Sequence, residues 1–312
     1  MKKNNSIPKV TICIPCYNEP ENILRAVTSV LNQSYSNLEI IISDCGSDEY
    51  TLNILRKIEL NKNLRILYNK GISKFENWHA VIEASNGDYI MIMHARHFLY
   101  PNGINDLIQP FIKFYYKDIA YVRGCMIYEL NDGSKSNYIP AEMSRLINGN
   151  EELMFLLKGN TCEIITTLYH TGKLKESLPF DTSLERTFVW FQNAKLASKW
   201  PVYFVNSDIG EWTISEPKED INIKTKKANS ELPILYEKLS KICSQIGLDI
   251  ESSNYSSLFS LNLSSYPNYS SVRNFLFKFK KKLPKFFLIC ASESFYFSKK
   301  LLFRIFPILI GR

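Results

Sequence analysis

Four consecutive residues, His94-Ala95-Arg96-His97, set two imidazoles and a guanidinium directly behind the apolar run Tyr89-Ile-Met-Ile-Met93. An imidazole can ligate a metal or pass a proton. A guanidinium is a permanent cation that grips phosphate with a fork of N–H donors. In open α/β sheets ligands sit just outside the carboxyl ends of the strands. The end of a buried strand that carries such side chains is therefore the first place to look for a site. Pro101-Asn102-Gly103 closes the stretch with a turn. Two more apolar runs end in polar groups of the same kind. Residues 10–14 lead into Pro15-Cys16-Tyr17-Asn18-Glu19, and residues 38–43 lead into Asp44-Cys45-Gly46-Ser47. Asp44 can accept hydrogen bonds from a ligand or close an Asx turn before Gly46. Tyr17 offers an aromatic face. Glu19 is a ligand contact or an acid favoured near a helix start.

The elements that must hold these groups follow from periodicity. Residues 10–14, 38–43, 64–68 and 89–93 read as strands, apolar throughout. Between them the spacing predicts helices over 21–32, over the segment with Leu52, Leu55 and Ile58 on one face, and over 75–85 with Trp78, Val81 and Ile82 inward. Strands without polar alternation are buried on both faces. The alternation β-α-β-α-β-α-β thus predicts an α/β fold, with a mostly parallel central sheet and helices on both faces. Further on, 103–117 reads as helix, 121–130 as strand turning at Asn131-Asp132-Gly133, and 151–158 as a short helix. Residues 164–170 fit strand or helix, 187–198 helix, 202–205 strand, and 221–248 helix. Residues 251–272 are rich in Ser, Asn and Tyr without periodicity and read as a linker.

At 312 residues, with 45% hydrophobic and 22% charged, the chain is long and apolar enough for a packed core. The net charge of +7 is unevenly placed. Residues 273–312 hold ten Lys or Arg and one acid, Glu293, so they carry +9 and the other 272 residues sum to −2. That tail sets Phe275, Phe277 and Phe279 beside Lys280-Lys281-Lys282. This is the pattern of a basic, aromatic, helical anchor on an anionic membrane surface, with a helix docking on the main domain as the other reading. Nucleic acid is not an expected partner. Seven cysteines, an odd number with no framework, suggest reduced thiols and a cytoplasmic setting, peripheral on the inner face of the membrane. Cys13 and Cys16 read as a strand thiol and a loop thiol rather than a redox pair. No signal peptide and no apolar run of about 18 residues stand out.

Several linked motifs now fall into order. They are Val10-Thr-Ile-Cys-Ile-Pro-Cys-Tyr-Asn-Glu19, Ala26-Val-x-Ser-Val-Leu-Asn-Gln33 and Leu38-Glu-Ile-Ile-Ile-Ser-Asp-Cys-Gly-Ser47. Asn69, Gly71, Asn77, Ala84, Gly87-Asp-Tyr-Ile90 and Pro101-Asn102 follow. Over its first 105 residues the chain resembles the family 2 glycosyltransferases, which have a GT-A fold. The resemblance implies a glycosyltransferase domain over 1–250, with a nucleotide-binding half (1–105) and an acceptor half (106–250). It implies a nucleotide-sugar donor, UDP-linked, held by Pro15, Tyr17, Asn18, Glu19, Asp44, Asn77, His94, Arg96 and His97. The acceptor would be a glycan or a lipid-linked sugar in surface polysaccharide synthesis. The alternative is a catalytically inactive binding or scaffolding subunit of a glycan-assembly complex.

Two departures from the family matter. His94-Ala95-Arg96-His97 stands at the family's Asp-x-Asp position, whose carboxylates hold Mg²⁺ or Mn²⁺. Three readings are open: Arg96 replaces the metal, the two His bind a softer ion such as Mn²⁺ or Zn²⁺, or the site is inactive. No cofactor is expected from the residues themselves. Phe180-Asp-Thr-Ser-Leu184 matches the run before the family's general base, yet the Glu-Asp position reads Phe188-Val189. A general base needs a proton acceptor. Asp181 and Glu185 are the remaining candidates, beside their readings as a turn residue and a solvated helix charge.

Overall fold

Six of the seven residues of β1 (Val10–Cys16) are buried, because the strand lies mid-sheet and feeds side chains to both faces. It is followed by α1 (Ile23–Leu31), β2 (Leu38–Asp44), α2 (Glu49–Ile58), β3 (Leu64–Tyr68), α3 (Lys74–Glu83) and β4 (Tyr89–Ile92). These strands pair in the order β3-β2-β1-β4, all parallel. The helices start on side-chain caps where the sequence offers them. Asp48 accepts from the Thr51 amide at 2.8 Å, and Ser73 and Glu76 form a capping box. Gly87 is required by close approach, since a Cβ there would lie 2.6 Å from Thr11 Oγ1.

The rest of the chain extends the same sheet. It adds β5 (His97–Leu99), α4 (Gly103–Lys113), β6 (Tyr121–Glu129), β7 (Lys135–Tyr138), β8 (Arg145–Ile147) and α5 (Gly149–Lys158). It continues with β9 (Thr167–His170), α6 (Thr171–Glu176), α7 (Phe188–Ala197), β10 (Val202–Thr213) and α8 (Lys218–Gln245). The full order is β3-β2-β1-β4-β9-β6-β10-β5, with β7 on β6 and β8 on β10. Beyond β4 the pairing changes character: β6 and β10 are parallel, and the other contacts are antiparallel. The computed structural model describes residues 7–129, 135–138, 143–160, 163–213 and 218–248. The chain divides into the units Met1–Leu248 and Asp249–Arg312. The linker and the basic tail read from the sequence lie outside the described residues. Among the described residues no helix is long and apolar enough to cross a membrane.

Two local expectations are corrected, and one strand is new: His97 opens β5, which pairs antiparallel with β10. The strand expected at 202–205 runs on to Thr213, past polar Asn206-Ser207-Asp208, where register shifts interrupt its pairing with β6. The helix expected over 103–117 ends at Lys113, and a 3-10 turn over Tyr115–Lys117 follows. Residues 164–170 resolve into a 3-10 turn, Ile164–Thr166, and then β9.

Under this half of the sheet lies a fully buried ion pair. Arg123 on β6 donates to Glu152 on α5 through Nε (2.8 Å) and Nη2 (2.9 Å), and the Tyr121 hydroxyl adds a third bond at 3.1 Å. Removing one partner leaves a buried charge uncompensated. Glu152→Ala is expected to lower unfolding stability by about 3–5 kcal/mol. Replacing both residues with apolar ones, Arg123→Met with Glu152→Leu, should cost far less. Urea denaturation midpoints check this, and equal losses in the two variants would contradict it.

Candidate functional site

Register brings three loops to one edge. Cys16 pairs with Asp44 and Cys13 with Ile92, so residues 17–22, 45–48 and 93–96 all leave the carboxyl ends of neighbouring strands. The loops are joined by hydrogen bonds. The Cys45 amide donates to the Cys16 carbonyl (3.3 Å) and the Met93 amide to the Cys13 carbonyl (2.9 Å). The Asn18 amide donates to Ser47 Oγ (2.8 Å), and the Asp48 amide to Asn18 Oδ1 (2.9 Å). Asn18 has φ of 51°, a left-handed conformation that Asn adopts more readily than most residues.

Beneath the loops lies a polar tie. The Ser43 hydroxyl donates to Asn77 Oδ1 (2.6 Å), Asn69 Nδ2 donates to Ser43 Oγ (3.0 Å), and Asn77 Nδ2 reaches the Cys16 carbonyl at 3.5 Å. Asn77 is 3% exposed and sits under the loops rather than on them. Asp44 is also buried. Its carboxylate accepts from the amides of Gly46 (3.0 Å) and Ser47 (3.1 Å) and from the Ser47 hydroxyl, so the Asx-turn reading is realised. Gly46, with φ of 110°, permits that turn. Pro15 is half-buried near the end of β1. Tyr17 is 58% exposed at the loop tip.

The turn after β4 divides its residues. His94 is exposed and packs edge-on against Trp78 (5.3 Å) and His97 (5.2 Å). His97 is buried, and its Nδ1 accepts from the His94 amide (3.3 Å), so the ring carries its proton on Nε2. Burial, with His94 beside it, holds this imidazole well below its usual range. Arg96 is half-buried and donates through Nε to Glu19 Oε1 (2.8 Å), while Glu19 Oε2 accepts from Asn22 (2.9 Å). Arg25 of α1 lies 5.1 Å over the Phe98 ring and 3.4 Å from Glu211 of β10, which also accepts from the Tyr100 hydroxyl (3.0 Å). Arg25, Tyr100 and Glu211 were not singled out from the sequence. No local signal marks them, because β10 meets β5 only through the sheet.

The donor set does not fit Mg²⁺ or Mn²⁺. Such ions need oxygen ligands, normally carboxylates. The turn offers none, and Glu19 and Glu211 each face an arginine. A softer ion fares no better, because His97 is buried with Nδ1 engaged. Among the described residues no group of three or more His, Cys, Asp or Glu is placed to hold a metal. Cys13 and Cys16 are no redox pair either: both thiols are buried, and burial pushes Cys16 up to about 12 and Cys13 further.

The start of α7, where the general base is expected, is packed with rings. Phe188 is buried against Phe75 (5.2 Å), Trp78 (4.9 Å) and Phe180 (5.1 Å). Lys74 Nζ lies 4.7 Å from the centre of the Phe188 ring and donates to the Glu185 carbonyl (2.7 Å). Burial, with Arg186 nearby, pushes its ammonium down to about 8. Buried Glu231 of α8 caps α7, accepting from the amides of Arg186 (2.9 Å) and Thr187 (3.0 Å) and from the Thr187 hydroxyl (2.9 Å). Asp181 accepts from Ser183 (3.0 Å) and pairs with Lys238 (2.6 Å). Burial opposes ionisation there, but these bonds hold the carboxyl below its usual range. Glu185 pairs with Lys227. Both sequence candidates for the base are thus engaged with α8.

Comparisons with known proteins bear on the family and the fold. Residues 11–168 match Glycosyl transferase family 2. A hyaluronan synthase of Pasteurella multocida is 34% identical over 112 residues, 35% of this chain and 11% of that one. An uncharacterized glycosyltransferase of Rickettsia typhi is 30% identical over 213 residues, 65% of this chain and 63% of that one. A chondroitin synthase of Escherichia coli is 36% identical over 110 residues, covering 34% and 16%. The chain thus spans less than two thirds of the length of each. Residues 1–349 of S. aureus TarS, solved in complex with UDP, superpose with a TM-score of 0.54 at 15% identity, covering 80% of this chain and 74% of that one. A Pyrobaculum calidifontis mannosyltransferase, in complex with GDP-Man and Mn²⁺, gives 0.57 at 11% identity, covering 93% and 85%. The fold is that of the GT-A enzymes.

His97 makes a pH prediction. Its folded-state pKa is depressed, so its contribution to stability is full above the ordinary imidazole value of about 6.5 and is lost as pH falls toward the folded value. Its share of the slope is at most about 1.4 kcal/mol per pH unit. His97→Phe should flatten the fall in stability between pH 6.5 and 5 without abolishing it, since burial lowers His79 and His170 too. Urea titrations at several pH values measure it, and an unchanged slope would refute the assignment.

Proposed function

Because the chain belongs to glycosyl transferase family 2, we propose that it transfers a sugar from a nucleotide sugar to a glycan or lipid-linked acceptor, in the assembly of a surface polysaccharide. The observation that carries this reading is the edge formed by the 17–22, 45–48 and 93–96 loops. It combines an exposed aromatic ring at Tyr17, a rigid Asp44 turn and the cation of Arg96. Tyr17 would stack on the base. Pro15, Asn18 and the Asp44 turn would shape the wall beside the ribose, with Asn77 holding that wall from below. Arg96 would meet the diphosphate, with His94 beside it, and stabilise the charge that builds on the leaving nucleotide. His97 would support the turn from its buried position. UDP is the proposed nucleotide, in line with the UDP complex of the TarS neighbour. The basic, aromatic composition of residues 273–312 supports an acceptor held at an anionic membrane surface.

A second reading is favoured by one observation. Phe188 fills the start of α7 with packed rings, and the carboxylates near it face Lys238, Lys227 or the helix amides. A nucleotide-sugar-binding subunit without turnover would tolerate that. Incubating the full chain with a panel of UDP- and GDP-sugars separates the two. Transfer or hydrolysis that persists in EDTA and falls at least tenfold in Arg96→Ala is the expected result. Collapse of activity in EDTA would overturn the arginine-based mechanism. Micromolar nucleotide binding with no turnover would establish the second reading.

A further inference from the structure

Two arginine–carboxylate pairs lie along β5: Arg96 with Glu19 just before the strand, and Arg25 with Glu211 beside Phe98. They differ in what each carboxylate loses by letting go. Glu211 is 5% exposed and forms part of the sheet, opposite Phe98. Letting Arg25 go would weaken the compensation of a buried charge, which is unfavourable. Glu19 sits on the loop between β1 and α1. Its side chain is 17% exposed, that of Arg96 is 33% exposed, and Asn22 already holds the other oxygen. Both side chains keep some contact with solvent, so parting the pair leaves neither charge fully buried. A diphosphate brings more negative charge than one carboxylate, and it matches the guanidinium fork.

We propose that Glu19 is an exchangeable counter-ion: it holds Arg96 in the empty site and yields it to the diphosphate of an incoming nucleotide. Donor binding then breaks the one side-chain ion pair seen, among the described residues, between the 17–22 loop and the 93–96 turn. Glu19 retakes Arg96 when the nucleoside diphosphate departs, which favours product release. Glu19 is thus a competitor of the donor's phosphates and not a contact to the nucleotide. This rests on the reading that the edge binds a nucleotide sugar.

Calorimetry on the full chain with UDP, GDP and UMP tests it. Glu19→Gln keeps a group for Asn22 but loses the charge, so it should tighten UDP or GDP by about two- to fivefold. UMP, one phosphate shorter, should change much less. Arg96→Ala should weaken the diphosphate at least tenfold, and Glu19→Gln added to it should give no further gain. The gain should shrink at high salt. Weaker diphosphate binding in Glu19→Gln would make Glu19 a ligand contact and overturn the exchange, as would an equal gain for UMP or a gain that survives in Arg96→Ala. Wild-type chain that binds neither UDP nor GDP would overturn the functional reading and the exchange with it. Nucleotide binding indifferent to Glu19→Gln would overturn the exchange alone. Thermal unfolding of each variant checks that it folds.

Discussion

The candidate site depends on one buried amide. Asn77 reaches from α3 to the ends of β1 and β2, accepting from Ser43 and extending toward the Cys16 carbonyl. Ser43 in turn accepts from Asn69, which follows β3. Three strand ends are thereby fixed to one helix at the level where their backbones leave the sheet. A buried polar group pays for its desolvation only when its partners are in place. The network is therefore cooperative, and it holds the Cys16–Asp44 register on which the loops above rely. The Asx turn of Asp44 and the cross-loop bonds of Asn18 complete a stiff wall. Such a wall is what a preorganised ligand site needs.

Above that wall stands a permanent cation, Arg96, which the proposed reading turns toward the diphosphate. A divalent ion would need a cluster of oxygens, and the turn after β4 offers no carboxylate. Glu19 and Glu211 each face an arginine, whereas Asp44 is held by its own turn. The pairs are unequal because their burial is unequal. Glu211 is locked into the sheet, whereas Glu19 rides on a surface loop. On the proposed reading, that asymmetry would let a phosphate open the Arg96–Glu19 pair.

The junction of α3 and α7 is organised differently. Trp78, Phe75, Phe180 and Phe188 close together, and Glu231 takes over the capping of α7 that Thr187 does not supply. Aromatic burial there stabilises the junction of α3 and α7. It also leaves Lys74, rather than a carboxylate, as the ionisable group against the Phe188 ring.

The sequence by itself determined the parallel half of the sheet, because 10–16, 38–44, 64–68 and 89–92 are mostly apolar, as strands inside a layered sheet must be, and helical spacing separates them. It also determined which loops carry polar groups, and that Phe188-Val189 brings no base. Only the tertiary structure decided which of those groups face outward. Asn77 and His97 read as ligand contacts but are buried, since position along a strand or helix does not reveal what packs over it. The Arg96–Glu19 pair spans 77 residues and the Arg25–Glu211 contact 186. No periodicity links residues that far apart. They meet because β5 crosses to the far edge beside β10 while the loop after β1 remains near it, so the pairing of charges belongs to the topology and not to any local stretch of chain.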